Sequence, residues 1–389
     1  MELETKPSRR LWTPAFTLLW AMTFLTFFAA FQLFPTVPLR LRDLGVSLAD
    51  SGRFLTIFTL GSSIGALFTG PLGDRIGHRR LLQVSTVGFG LCLLLQGMFM
   101  SRWGFYLMAF PHGVVWSGVL TGTMASLGNV LPDTQRADGM ALYGLASPGG
   151  VIVGPLVGLW MFDHVGFRTL VWVLAGIFLA LGWLAGELPG GEPRAEHHNA
   201  FRLPDAKALG PCAVLFGLAL GYGALSTYTA QEGKGLHFAV PSVFLSTLGV
   251  GMVTMRLIMA RHGFGARPIR LLPRMHLLAL VGLLILAFFP GGLSRHLLSA
   301  LVYGAGYSMV FTLLNARLLE VVDPQRRGAA FGALLFAFDA GIGLGAFALG
   351  RVIGAAGYRW GWALGSLCIL MVLPVAWRMA RKPIQDPAP

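Results

Sequence analysis

Apolar runs of about 20 residues, each closed by a short charged or Gly/Pro-rich stretch, recur along this chain. They fall near 13–34, 51–70, 81–100, 104–127, 138–161, 168–187, 209–231, 241–260, 273–289, 297–317, 328–350 and 358–377. As a helix, roughly 20 apolar residues cross the ~30 Å of bilayer hydrocarbon. The pattern therefore predicts an all-α membrane protein with twelve transmembrane helices, with Arg256 and Pro273 intruding on the eighth and ninth spans. A polar, Pro/Gly-containing segment, 188–208, divides the twelve into six and six. The expected organisation is an N-terminal six-helix bundle over 1–187, a cytoplasmic linker over 188–208 and a C-terminal six-helix bundle over 209–389.

Composition agrees with a bilayer protein. Of 389 residues, 55% are apolar and 12% charged, with a mean hydropathy of +0.67. That is more apolar surface than a water-soluble domain can hide. A net charge of +13 would point a soluble chain towards nucleic acid, but here the position of each cation matters more. With the N-terminus inside, most of the 30 Lys and Arg fall on the inner side, among them Lys6, Arg80, Arg256, Arg267 and Lys382. This bias follows the positive-inside rule for an even number of spans. The chain is thus expected to be a multi-pass protein of the inner (plasma) membrane with both termini cytoplasmic, a lipid bilayer around it and no nucleic-acid partner.

Cys92, Cys212 and Cys368 lie within apolar spans without metal-ligand spacing, so they read as small core residues. No metal site and no cofactor are expected. The phosphate-cradling run G-x-x-x-x-G-K-[ST] is missing from the sequence, so nothing supports direct ATP coupling within this chain. The first span is long, lightly preceded by charge and not followed by a small-x-small site, and is read as a retained helix.

The second half echoes the first. A shift of 191 places lays Arg136-Ala137 on Arg327-Gly328, Gly150 on Gly341, Gly154 on Gly345, and Gly166-Phe167-Arg168 on Gly357-Tyr358-Arg359. Spans five and eleven then correspond, and two pseudo-symmetric halves facing each other would enclose a site near the bilayer midplane.

Between spans two and three the chain reads GPLGDRIGHRR, with Gly70, Gly73, Asp74, Arg75, Gly77, Arg79 and Arg80 in one short hinge. Charges between two spans must sit at the water interface, and the glycines permit a tight turn. This run closely resembles the signature loop between helices two and three of the major facilitator superfamily. Span five carries Gly150, Gly154 and Gly158 at four-residue intervals with Pro155 inserted, leaving one helix face nearly bare for close packing. It resembles the Gly-Pro signature in the fifth helix of superfamily antiporters, although Leu159 stands where a second terminal glycine would be. The resemblance covers about residues 10 to 380 and includes the RGAAFG run from Arg327 to Gly332.

That likeness implies the major facilitator fold and a twelve-helix secondary transporter of the drug/metabolite:proton antiporter kind. It also implies a latch built on the loop residues Gly70, Asp74, Arg75, Gly77 and Arg79, in which the acid Asp74 meets the start of helix eleven and nearby positive groups when the cytoplasmic side is closed, an anion beside a positive helix end. One departure is plain. Proton-coupled exporters of the superfamily carry an Arg four residues before a glycine such as Gly113, and this chain has Ala109 there.

An ionisable group in hydrocarbon is costly and marks a functional path by default. Asp339, midway along span eleven with no cation in its own helix, is the first candidate: a carboxyl able to exchange its proton near neutral pH carries protons or meets a cationic substrate. His112 in span four, with Trp116 and Thr123 on its face, sets a titratable imidazole beside an aromatic wall. Phe31 and Gln32 in span one, Tyr222 and Gln231 in span seven, and Tyr303 and Tyr307 in span ten cluster where a central cavity would be lined. No residue is expected to be catalytic, and a membrane enzyme or a transport-dead receptor on the same scaffold are the readings from other classes. The expected function is proton-coupled export of a drug-like compound or metabolite by a monomer, with protons as the coupling partner; proton-linked uptake or facilitated diffusion is the alternative within transport.

Overall fold

A computed structural model describes residues 12–131, 136–189, 206–262, 268–322 and 327–381. Lys6, Arg267, Lys382 and residues 190–205 of the 188–208 linker lie outside the described residues. Among those described, every regular element is helical: α1 (Pro14–Asp43), α2 (Arg53–Ile76), α3 (His78–Met98), α4 (Arg102–Val130), α5 (Arg136–Tyr143), α6 (Ala146–His164), α7 (Phe167–Ala185), α8 (Leu209–Gly235), α9 (Val243–His262), α10 (Leu272–Phe288), α11 (Leu293–Val321), α12 (Arg327–Ala356) and α13 (Tyr358–Arg381). Short 3₁₀ turns, Ala206–Ala208 and Pro268–Leu271, lead into α8 and α10. Ten of the helical stretches are individually long and apolar enough to cross a membrane. The α4 helix and the α5–α6 pair complete the twelve spans.

Two differences from the sequence expectation have clear causes. The first helix runs past the expected stop at 34 to Asp43, through Pro35 and Pro38. Proline normally ends a helix by removing a donor, but 29–39 is entirely buried among other helices, where broken backbone pairing is tolerated. The fifth span is split between α5 and α6. Pro148 has no N–H to offer the Gly144 carbonyl one turn earlier, so the helix opens there.

Helix pairing repeats between the halves. In the first half α1 packs on α6, α2 on α4 and α3 on α7; in the second α8 packs on α12, α9 on α11 and α10 on α13. Across the midline α2 meets α12 and α6 meets α9, again as a matched pair. The glycines explain how closely these helices approach. A Cβ on Gly150 or Gly154 would meet the carbonyls of Phe24 and Phe28 of α1, and a Cβ on Gly341 or Gly345 would meet those of Phe216 and Leu220 of α8. Lipid supplies no hydrophobic drive for helix association, so such small-residue seams carry the packing through dispersion. The start of the last helix in each half also repeats: Gly166 and Gly357 take φ of 85° and 90°, a left-handed turn that glycine adopts freely.

Outward faces carry Val84, Leu107, Trp183 and Met371, all at least 66% exposed. In water such surface would drive aggregation; in a bilayer it is the solvated face. The structure is therefore an all-α membrane protein of two pseudo-symmetric six-helix bundles.

Candidate functional site

Between the halves lies a cavity of about 2020 Å³. It reaches from an apolar apex at Phe34, Phe58 and Ile342 to a mouth bounded by Asp74, Arg75, Leu209 and Phe331. These mouth residues are exposed, so the cavity opens at the end where the α2–α3 loop lies.

The opposite end is closed by hydrogen bonds that cross the halves. Thr56 Oγ1 donates to the Gly343 carbonyl at 2.8 Å, Gln231 Nε2 donates to Ser51 Oγ at 3.2 Å, and Lys234 Nζ meets Asp163 at 2.7 Å. Here too the backbones touch: a Cβ on Gly52 would meet the Tyr228 hydroxyl and the Ala346 carbonyl. Because each of these bonds joins one half to the other, opening this end must break them. Thr56→Val removes one net bond, worth about 1 kcal/mol, and should shift the population towards opening at the Ser51 end about fivefold. The readout is the thiol labelling rate of a cysteine at Ala49 in a background without Cys92, Cys212 and Cys368; an unchanged rate refutes the gating role.

The walls are aromatic. In the first half Phe27 stands edge-on to Trp116 with centroids 5.4 Å apart, and Phe34 edge-on to Phe58 at 5.8 Å. In the second, Tyr222 stacks on Tyr307 at 4.4 Å and Tyr307 on Tyr303 at 5.9 Å. Phe31 faces Tyr222 at 6.4 Å, joining the two halves below the apex. Asp339 is set into this wall on α12, and Ser62 of α2 donates to its Oδ2 at 2.6 Å across the midline. A carboxylate that bonds across the halves and faces the cavity is placed to feel both cavity contents and conformation.

Other candidates from the sequence are placed differently. His112 lies behind the cavity wall, its Nδ1 3.0 Å from Gln96 Nε2 and its ring against Phe58 and Phe89. Of the imagined His112–Trp116–Thr123 face only Trp116 and Thr123 reach the cavity, because one helix stripe here divides between the cavity and the α3 interface. Gln32 is fully buried against Gly158 of α6, with both amide atoms unpartnered. Gln231 belongs to the closed end, and Tyr303, behind Tyr307, donates to the Leu218 carbonyl at 3.1 Å. Phe31, Trp116, Tyr222, Tyr307 and Asp339 do line the cavity. Gly150, Gly154, Pro155 and Gly158 form the α6 face described above, with all four buried.

The loop residues sit at the mouth. Asp74 pairs with His78 Nε2 at 3.3 Å, Arg79 Nη1 donates to the Leu188 carbonyl at 3.3 Å, and Gly77 turns the chain at φ 89°. Gly70 and Arg75 line the cavity. With the mouth open, Asp74 is paired within its own half.

Two features escaped the sequence reading. Glu232, buried near the closed end, accepts from Arg295 Nη2 at 2.6 Å and from Trp362 Nε1 at 3.0 Å, tying α8, α11 and α13 together. Arg256, read above as intruding on the eighth span and counted with the inner-side cations, lies inside α9 on the cavity wall. The available signal was its position within an apolar stretch, the same signal that marked Asp339.

Comparison with known proteins fits this geometry. A family model described as Major Facilitator Superfamily matches residues 19–346. The chain belongs to the Major Facilitator Superfamily. Within it, the Staphylopine export protein of Staphylococcus aureus is 22% identical over 96% of this chain and 97% of its own length. The Multidrug resistance protein MdtG of Yersinia enterocolitica is 31% identical over 176 residues, 43% of this chain and 42% of that protein. A solved bacterial homolog to the human lysosomal transporter Spinster, in an inward-facing and occupied conformation, superposes with a TM-score of 0.73 at 13% identity, over 97% of this chain and 99% of that one. This superfamily member is an integral multi-pass membrane protein and a secondary transporter of small molecules.

Proposed function

We propose that this transporter exports a small organic molecule from the cytoplasm in exchange for protons, with Asp339 carrying the proton. The observation that carries the reading is the placement of Asp339: an acid at membrane depth, on the cavity wall, bonded across the halves to Ser62. A proton gained or lost there changes both the charge of the cavity and a bond that holds the halves together. Such a group couples proton movement to alternating access. Export is supported by the Gly-Pro run of α6 and by the functions named for the relatives in Staphylococcus aureus and Yersinia enterocolitica.

The mouth takes the cytoplasmic side in this reading, because most of the 30 Lys and Arg, Arg75, Arg79, Arg80, Arg270 and Arg274 among them, fall in the loops and helix ends on that side, and the minority on the closed side. Both termini then lie in the cytoplasm, the membrane is the inner one, and one chain encloses the whole pathway, so a monomer suffices. Asp74 acts as a latch when the mouth closes, exchanging its His78 partner for the start of α12, whose Arg327 side chain and preceding Arg326 lie outside the described residues.

Inverted membrane vesicles acidified inside test the reading with a panel of cationic, neutral and anionic fluorescent probes. Accumulation of at least one probe above vesicles lacking the protein, abolished by a protonophore, is the expected result. Accumulation unaffected by the protonophore refutes proton driving, and protein-dependent entry into intact cells refutes export.

A further inference from the structure

Arg256 sits where a cation is expensive, on a transmembrane helix facing a cavity, and no carboxylate offsets it among the described residues. Its partners are neutral. Nη1 donates to the Gly144 carbonyl and Nε donates to Ser308 Oγ at 3.2 Å. The first bond is explained by the split fifth span: Pro148 leaves Gly144 without a helical donor, and the guanidinium supplies one from the other half of the protein. These two bonds hold the planar fork in place. Two of the five N–H groups of the guanidinium are used by these bonds; no bond from Nη2 is found among the described residues, and the side chain lines the cavity.

A fixed guanidinium that lines a cavity without a paired carboxylate suits an oxyanion, which a guanidinium binds through two parallel bonds. Its partner Ser308, and Tyr143 and Ser147 close in the chain to its acceptor Gly144, line the cavity, as do Trp116, Tyr222, Tyr307 and Asp339. The cavity thus combines a cationic, hydroxyl-bearing patch with an aromatic wall that carries one acid. We infer that Arg256 is a substrate-binding residue and that the transported molecule is an organic acid, a carboxylate or a comparable oxyanion on an aromatic or apolar body. This rests on the transporter reading and specifies its substrate class; it does not depend on the direction of transport or on proton coupling.

Thermal unfolding of the detergent-purified full chain tests it with three matched probes: 2-naphthoate, 2-naphthamide and 2-naphthylmethylammonium. Binding to the folded form raises Tm. The expected result is stabilisation by 2-naphthoate at concentrations about tenfold or more below those at which the amide or the ammonium acts. R256Q should erase the preference, R256K should retain part of it, and R102Q, at the exposed start of α4 and away from the cavity lining, should leave it intact. Equal stabilisation by the three probes, no stabilisation by 2-naphthoate, or a preference that survives R256Q each overturns the inference; the last would leave Arg256 as a strut for Gly144 only. Should R256Q fail to fold, the comparison of probes on the unaltered protein and on R256K still decides. Failure here leaves protonophore-sensitive accumulation in vesicles untouched, and failure of that accumulation leaves the probe preference untouched, so the two readings fall separately.

Discussion

Asp339→Asn should reduce proton-driven accumulation to the level of vesicles without the protein while leaving exchange of the same probe across the membrane without a gradient largely intact. Asparagine keeps the shape of the side chain and can still accept a hydrogen bond from Ser62, which now donates to Oδ2 at 2.6 Å. What it loses is the ability to take up and release a proton. The cavity therefore stays open to substrate and the halves can still move, but each cycle no longer carries a proton with it. The two assays together separate coupling from folding: loss of both would indicate damage to the structure, and retention of protonophore-sensitive accumulation would remove Asp339 as the carrier. His112 serves as an internal comparison. It is titratable and buried but lies behind the wall with Gln96, so His112→Gln is expected to leave proton-driven accumulation in place.

Gly345→Val should be among the most damaging single changes to folding. Its Cβ would fall on the Leu220 carbonyl of α8, a backbone atom that cannot swing aside. Overpacking of this kind costs about 3 kcal/mol, and in a bilayer no hydrophobic gain between helices offsets it. The expected outcome is loss of monodisperse protein on extraction and a lowered Tm. Gly154→Val, against the Phe28 carbonyl at the matching place in the first half, should act in the same direction. Gly70→Ala provides the control, because a Cβ there meets nothing within 4 Å. Equal yields of Gly345→Val and Gly70→Ala would show that the seams do not hold the bundles together.

These predictions rest on features with different visibility in the sequence. Asp339 stood out because an acid in hydrocarbon is rare whatever surrounds it. Arg256 carried the same signal, intruding on the eighth span, but was counted only with the inner-side cations, since a charge near the end of a span and one in the loop that follows look alike in one dimension. Phe34 and Phe58, at the apex of the cavity, carried no signal. In a transmembrane helix an apolar side chain is equally suited to lipid, to a neighbouring helix or to a cavity wall, so the periodicity that reveals the buried face of a soluble helix is weak here. Gln231 shows the converse: a polar residue near other candidates in the sequence turned out to bond Ser51 at the closed end.

The number of spans, their division into two related halves, the small-residue seams and the acid at membrane depth were all legible in the order of residues. Each follows from a local requirement: apolar length to cross the bilayer, a glycine where backbones touch, a cost for every charge. The tertiary structure alone decided which side chains share the cavity, which end is open and that Arg256 reaches the carbonyl freed by Pro148. Those depend on how helices distant in the chain are rotated and tilted against one another, and that rotation is fixed by packing between elements that no local pattern encodes.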